Sequence, residues 1–456
     1  MKRVLVLGAG LVAKPLVDDL LHPHRGELLE LEIGTLDVER AAGLLGGRTD
    51  RARVEALDVG DAARLSARVA AADAVVSLLP APLHPRVARA CVDRGKPLVT
   101  TSYVSDEMRA LDAEARERGV LLLNECGLDP GIDHLMAVDG IRRIEASGGS
   151  VVGYSSCAGG LPAPEFNDNP WGYKLSWSPR AVLVAARSPV RYLEDGRVIE
   201  APTPFERLPP REMEIGLDDV DGTTTLQLEV YPNRDSLPYR ELYGLDRATT
   251  VFRGTLRYPG WSATCRALLD LELLSTEPGD LVGETWAELL ASRLPGPMHK
   301  RVLGDEDLRR EIAAHLGRPP TDPVIGRFAW LGLFSDQRLP EDASTPLDAL
   351  TGAMAGPLGY GPGERDLIVL VHRFTVGTLD GRRATRHVHE SRLVTTGPAG
   401  DDSAMACTVG LPAAAACRLI LAGRVDLTGV RIPIDPGLVD ALLAELRARG
   451  LDIEGA

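Results

Sequence analysis

The feature that most constrains this chain stands at its start. Val4-Leu5-Val6-Leu7 runs directly into Gly8-Ala9-Gly10-Leu11-Val12-Ala13, and Pro15 opens a segment of helical spacing behind it. An apolar strand, a G-x-G-x-x-A turn and a helix, in that order, are what a dinucleotide-binding βαβ unit requires. Gly8 permits the tight turn, Gly10 lets the backbone approach a pyrophosphate, and Ala13 keeps helix and strand close. The helix start then offers unpaired N–H groups, with Leu11 and Val12 among them, to the phosphates.

The next hundred residues keep the matching rhythm. Apolar runs at Leu28–Ile33, Val54–Leu57, Ala74–Leu79, Leu98–Thr101 and Val120–Leu123 alternate with helix-spaced segments such as Ala62–Val69 and Pro85–Arg94. Continuous Val/Leu runs of this kind predict parallel strands covered on both faces. The expectation is an α/β fold whose first domain, residues 1–128, is a doubly wound Rossmann sheet. From Val151 the texture changes to period-two alternation at Thr223–Val230, Asp366–Val376 and Arg386–Thr395, separated by turn-forming stretches. That predicts an α+β domain over 129–282 and 355–399, with a mostly antiparallel sheet. Residues 283–354 read as a small helical domain, its helices at Glu284–Leu294 and Asp305–Leu316.

A chain of 456 residues is too long for one core, which agrees with several domains. Its net charge of −14 argues against nucleic acid or an anionic membrane as partner, because both need a basic face. An anionic small molecule needs only a local group of Arg and Lys. The six cysteines have no C-x-x-C spacing and read as reduced thiols of a cytoplasmic protein. No signal peptide is expected ahead of the first strand, and no apolar run is expected to span a membrane. No cluster with metal-ligand spacing stands out, so no metal is expected.

The strand ends carry the candidate cofactor contacts. An acid at the end of the second strand reads the ribose of NAD, whereas Arg or a small polar residue accommodates the phosphate of NADP. Here the stretch is Leu31-Glu32-Ile33-Gly34-Thr35-Leu36-Asp37. Glu32 comes one residue early, while Thr35 leaves room for a phosphate with Arg40 as its partner, so NAD and NADP both stay open. Asp58 and Val59 are expected near the adenine, and Ser77 and Leu78 where the cofactor crosses the fourth strand.

Further strings lie where an open α/β sheet places its ligands and beyond. They are Thr101-Ser102-Tyr103-Val104-Ser105, Gly127-Leu128-Asp129-Pro130-Gly131-Ile132-Asp133-His134 and Gly159-Gly160-Leu161-Pro162-Ala163-Pro164-Glu165. Lys174, Trp177 and Ser178 come next, then Tyr231-Pro232-Asn233-Arg234-Asp235-Ser236 and Arg253-Gly254-Thr255-Leu256-Arg257-Tyr258. Taken alone, Asp129-Pro130-Gly131 is a common turn, His134 satisfies its helix, Lys174 is a solvated charge and Arg234 pairs with Asp235. In this order the strings resemble the L-glutamate-forming saccharopine dehydrogenases of lysine metabolism, from Gly8 to Val409-Gly410-Leu411-Pro412, nearly the whole chain.

The resemblance implies an NADP- or NAD-dependent enzyme that interconverts saccharopine with L-glutamate and 2-aminoadipate 6-semialdehyde. It also implies a homodimer and a chain end, about 400–456, that returns to the Rossmann domain. Such a substrate carries three carboxylates and an amine, which suits Arg234, Arg257 and Lys174. By resemblance Ser102, Tyr103, Asp129, Trp177, Arg234 and Thr255 contact substrate, and Leu128, Asp129, Pro130 and Ser178 neighbour the cofactor. Asp129 is the first candidate for acid–base assistance at the amine nitrogen, with Tyr103 beside it. Two departures stand out: Ala158 replaces a Cys before the paired glycines, and Gly34 replaces an Arg after the second strand. The competing readings are a lysine 6-dehydrogenase or opine-type reductase, and a non-catalytic dinucleotide sensor.

Overall fold

In a computed structural model the chain is described throughout except at residues 25, 207, 218–223, 280, 296–303, 381–382, 454 and 456. It divides into two compact units, Met1–Val151 with Leu370–Ala456, and Val152–Val369.

The first unit is built on a seven-stranded parallel sheet. Its strands are β1 (Lys2–Leu7), β2 (Leu29–Thr35), β3 (Ala52–Ala56), β4 (Ala74–Ser77), β5 (Leu98–Thr100), β6 (Leu121–Leu123) and, from the chain end, β15 (Gly429–Arg431). The order β15-β6-β5-β4-β1-β2-β3 reverses direction beside β1, the switch point at which open α/β sheets bind ligands. Central strands are apolar on both faces because helices cover both: Val4, Leu5, Val6 and Leu7 are all buried. The helices that follow β2 and β3 begin on side-chain caps, Asp37 accepting from Arg40 N–H and Asp61 from Arg64 N–H. The chain end lies in this unit: β15 pairs with β6, and the helix Ala404–Leu421 packs on the helix Ala13–Leu21.

That C-terminal helix corrects one expectation. Ala404–Leu421 is long and apolar enough to cross a membrane by length and composition, at mean hydropathy 1.7 over 18 residues. Its window is 78% buried inside the protein, so its apolar surface is used as core. Gly410 explains how closely it packs: an added Cβ would sit 2.9 Å from the Val12 carbonyl oxygen.

The second unit holds a mixed sheet. Its strands are β7 (Ser150–Pro162, which enters from the first unit), β8 (Val190–Glu194), β9 (Arg197–Ala201), β10 (Arg211–Gly216), β11 (Thr225–Pro232) and β12 (Thr250–Arg257). β10, β11 and β12 pair antiparallel, and β12 pairs parallel with β7. Helices at Trp261–Asp270, Trp286–Ser292, Asp305–His315, Pro323–Trp330 and Pro346–Ala355 complete it. The helical stretch expected to stand alone does not: Trp286, Leu308, Phe328 and Leu350 share one core cluster with Trp171, Tyr173, Tyr231 and Trp261. A single contiguous core makes one unit out of what composition divided into two.

The domain boundaries shift for a similar reason. Residues 129–151 and 370–399, assigned from sequence to the second domain, belong to the first unit. The helix Ile132–Ala146 meets the strand β13 (Asp366–Asp380) there, with Gly140 lying so close to the Phe374 ring that a Cβ would come within 2.6 Å. β14 (Arg383–Thr396) comes after it in the same unit, and the turn expected at 379–382 lies partly outside the described residues. The strand start expected at Thr223 also lies outside them.

Candidate active site

The glycine turn has the geometry that its sequence demands. Gly8 is buried at φ +101°, and a Cβ there would meet the Leu78 carbonyl carbon and oxygen at 3.2 Å. That close approach ties the end of β1 to the end of β4, where Leu7 already pairs with Ser77. Around Gly10 an added Cβ would meet nothing within 4 Å, and Leu11 is half-exposed, so space lies open above the turn. The helix Ala13–Leu21 starts at Val12 without a side-chain cap. Open space over uncapped N–H groups suits a pyrophosphate.

The second strand end is less simple than its sequence. Glu32 is buried and ion-paired with Arg53 and Arg68, so it is engaged by β3 and the helix after it rather than by a ribose. Thr35 is buried and its hydroxyl accepts from Asp37 N–H at 3.2 Å. Arg40 reaches back over the glycine turn, its Nε donating to the Ala9 carbonyl at 2.7 Å and its guanidinium pairing with Asp401 at 2.8 Å. At Gly34 a Cβ would come within 2.8 Å of the Leu57 side chain, so glycine fits a crowded strand crossing. Further along, Val59 is buried, while Asp58 is exposed and turns its carboxylate back to Gly60 N–H.

The carboxyl ends of β4, β5 and β6 carry half of the predicted residues of this unit: Ser77, Leu78, Ser102, Tyr103, Leu128, Asp129 and Pro130. The Tyr103 hydroxyl donates to the Asp129 carboxylate at 2.8 Å. The two residues come from different loops, after β5 and β6, and both are half-buried. Asp129 precedes Pro130 through a cis peptide bond. The loop is crowded behind them: at Gly131, φ +148°, a Cβ would fall onto the Gly127 backbone, and the Asp133 carboxylate accepts from the Gly131 and His134 N–H groups. Leu128 and Pro130 are buried in the same turn. His134, fully buried, bonds the Glu125 carboxylate at 2.7 Å, and Glu125 also accepts from Val104 N–H at 2.9 Å. This pair braces the Tyr103 loop against the Asp129 loop.

One residue here has no counterpart among the sequence-based expectations. His84, the first residue of the helix after β4, is 3% exposed and bridges two predicted contacts. Its Nδ1 lies 2.9 Å from Ser77 Oγ and its Nε2 2.9 Å from Ser102 Oγ. Burial pushes its pKa down to about 4, so it is neutral at ordinary pH. A histidine at a helix start just past a strand end is the only signal the sequence offers, and it is a weak one.

In the second unit the predicted residues are more dispersed. Thr255 and Arg257 are two apart on β12 and so share a face; Thr255 is half-buried, Arg257 fully buried. The Arg257 guanidinium stacks over Tyr173 at 4.7 Å and Trp261 at 5.5 Å, and donates to the Leu256 carbonyl. Although burial opposes its charge, the nearby Tyr231 and Tyr173 hydroxyls raise its pKa. Beside Tyr173, Lys174 is not a solvated charge but buried, with Nζ 2.5 Å from Glu364 and 2.9 Å from Asp168. Trp177 is half-buried against the main core cluster. Ser178 caps the helix Pro179–Ala186. Arg234 is exposed at φ +53°, and its neighbour Asp235 pairs with Arg191.

Known proteins resemble this chain in sequence and in overall fold. A family model described as the saccharopine dehydrogenase NADP binding domain matches residues 4–123, and one described as the saccharopine dehydrogenase C-terminal domain matches residues 127–451. The chain is 35% identical to saccharopine dehydrogenase [NADP(+), L-glutamate-forming] of Pyricularia oryzae, covering 98% of this chain and 97% of that protein. It is also 35% identical to the mitochondrial alpha-aminoadipic semialdehyde synthase of Bos taurus, of whose length it spans about half (47%) and which covers 99% of this chain. The apo structure of saccharopine dehydrogenase (L-Glu forming) from Saccharomyces cerevisiae superposes with a TM-score of 0.84 at 33% identity, covering 100% of this chain and 99% of that one. The chain belongs to the saccharopine dehydrogenase family.

Proposed function

We propose that this chain is an NADP-dependent saccharopine dehydrogenase of the L-glutamate-forming type. Saccharopine, NADP⁺ and water give L-glutamate, 2-aminoadipate 6-semialdehyde, NADPH and a proton, reversibly. The observation that carries the reading is the Tyr103–Asp129 hydrogen bond, set at the carboxyl ends of the sheet whose β1 ends in the Gly8 turn. Full-length likeness to relatives bearing that activity supports the substrate.

NADP⁺ supplies the hydride acceptor when bound. Gly8, Gly10, Leu11 and Val12 would hold its pyrophosphate, Ser77, Leu78, Leu128 and Pro130 its nicotinamide half, and Thr35 with Arg40 its adenosine phosphate. Asp129 holds a carboxylate beside the reacting amine and takes the nitrogen's proton. Tyr103 orients that carboxylate by donating its hydroxyl hydrogen to one of its oxygens. In the first unit Ser102 is assigned to a substrate carboxylate; in the second, taken by itself, the family resemblance assigns Trp177, Arg234 and Thr255 to substrate. Arg257 and Lys174 are already engaged by neighbours, so their part is to shape the second unit around its own residues Trp177 and Thr255. The same reading carries a cytoplasmic location, in keeping with six cysteines that form no disulfide, and a homodimer.

The test is direct: purified protein is mixed with saccharopine and NADP⁺ or NAD⁺ while reduced-cofactor absorbance is followed. Turnover with saccharopine, faster with NADP⁺, is expected. Silence with saccharopine alongside turnover of lysine would overturn the proposal.

A further inference from the structure

The Ser77–His84–Ser102 chain has a direction, and the direction bears on how substrate is held. Ser77 is the last residue of β4, fully buried, and is flanked in the sheet by Leu7 and Thr100. Ser102 stands two residues beyond β5 in the loop that carries Tyr103, and is half-buried. His84 spans the two hydroxyls with both ring nitrogens at 2.9 Å. An uncharged imidazole has one N–H and one bare nitrogen, so it must donate to one serine and accept from the other. If Nε2 is bare, Ser102 spends its hydrogen on His84 and meets a ligand with lone pairs. If Nε2 carries the hydrogen, Ser102 is left free to donate. The carboxylates of a polycarboxylate present acceptors only, so the second arrangement is the one that binds them.

We infer that His84 is a positioning residue: its Nε2–H donates to Ser102 Oγ, its Nδ1 accepts from the Ser77 hydroxyl, and the Ser102 hydrogen is thereby aimed at a carboxylate oxygen of the substrate. This rests on the functional reading above. It gives the helix that begins after β4 a part in substrate recognition, through a residue that touches neither substrate nor cofactor. Because Ser77 adjoins the glycine turn, the relay also links the substrate loop to the strand pair under the cofactor.

The experiment is steady-state saccharopine oxidation by the full-length wild type and by His84→Leu, His84→Gln, Ser102→Ala and the His84→Leu/Ser102→Ala double variant, each checked for an unchanged Tm. Losing one aimed hydrogen bond to a charged group predicts a rise of about tenfold or more in saccharopine KM for His84→Leu, with NADP⁺ KM within about twofold. His84→Gln, whose amide keeps a donor on that side, should recover most of the loss. The double variant should be no worse than Ser102→Ala, since both changes remove the same contact. A parallel rise in both KM values, a Gln variant as impaired as Leu, or multiplicative effects in the double variant would overturn the inference while wild-type activity still stood. A wild type inactive on saccharopine would instead overturn the functional reading, and this inference with it.

Discussion

Replacing Lys174 with Met separates a structural cation from a substrate-binding one. Lys174 Nζ lies 2.5 Å from Glu364 and 2.9 Å from Asp168, with side-chain exposures of 5%, 19% and 60% respectively. At an effective dielectric near 20 the Lys174–Glu364 attraction is roughly 6–7 kcal/mol gross, which desolvation of the two ions largely offsets. Removing only the cation costs more than the net value of the pair, because it strands Glu364. Glu364 keeps one bond, from Gly361 N–H at 2.6 Å, and retains some solvent. The loss therefore falls at the low end for broken buried pairs, about 3 kcal/mol. For a unit the size of Val152–Val369 that is roughly 6–12 °C in Tm. Met preserves the apolar stem, so the effect reports the charge.

The sign with pH comes from the raised pKa of Lys174: burial opposes its charge, but hydrogen bonds to Glu364 and Asp168 outweigh that and hold the ammonium up. The contribution is fully present below the unfolded value of 10.5 and is lost as pH rises through the higher folded value. Calorimetry of Lys174→Met, Glu364→Gln and the double variant provides the assay. The double variant should regain more than half of the loss, because no buried charge is left alone. A single variant costing under about 1 kcal/mol, or a double variant no better than the single, would refute the reasoning.

Three further outcomes are expected. His84 has its pKa depressed by burial from 6.5 to about 4, so its contribution is complete above pH 6.5 and is lost as pH falls from there to about 4, in total roughly 3 kcal/mol; urea titrations of His84→Gln should show that slope flattened, and an unchanged slope would count against it. Gly8→Ala forces a methyl against the Leu78 backbone at an unfavourable φ, so NADPH affinity by fluorescence should fall about tenfold or more, and wild-type affinity would contradict the placement of the pyrophosphate. Arg40→Gln should narrow the NADPH-to-NADH affinity ratio about tenfold, while Asp401→Asn, which frees Arg40, should widen it; a ratio indifferent to both changes would remove Arg40 from the adenosine phosphate site.

Local order is legible in the chain because local rules decide it. An apolar run before G-x-G-x-x-A can bury both faces only as a central parallel strand, and β1 to β6 each form near the bounds their apolar runs predict. The motif strings likewise name Tyr103 and Asp129, which the fold joins by a hydrogen bond across two loops. What sequence cannot decide is whatever depends on a distant neighbour. Lys174 reads as a surface charge until Glu364, 190 residues on, closes over it. Ala404–Leu421 has the composition of a membrane span, and the helices Ala13–Leu21 and Pro436–Arg447 with the strands β4 and β5 packed against it make it core. Glu32, one residue early for a ribose-reading acid, leaves the cofactor open in sequence, and only the fold shows Arg53 and Arg68 claiming it from the next strand and helix. His84 carries no motif at all and acquires meaning only because the Ser77 and Ser102 hydroxyls flank its ring. Periodicity and turn chemistry act over a few residues; pairing of buried polar groups acts across the packed fold, and there the tertiary structure alone decides.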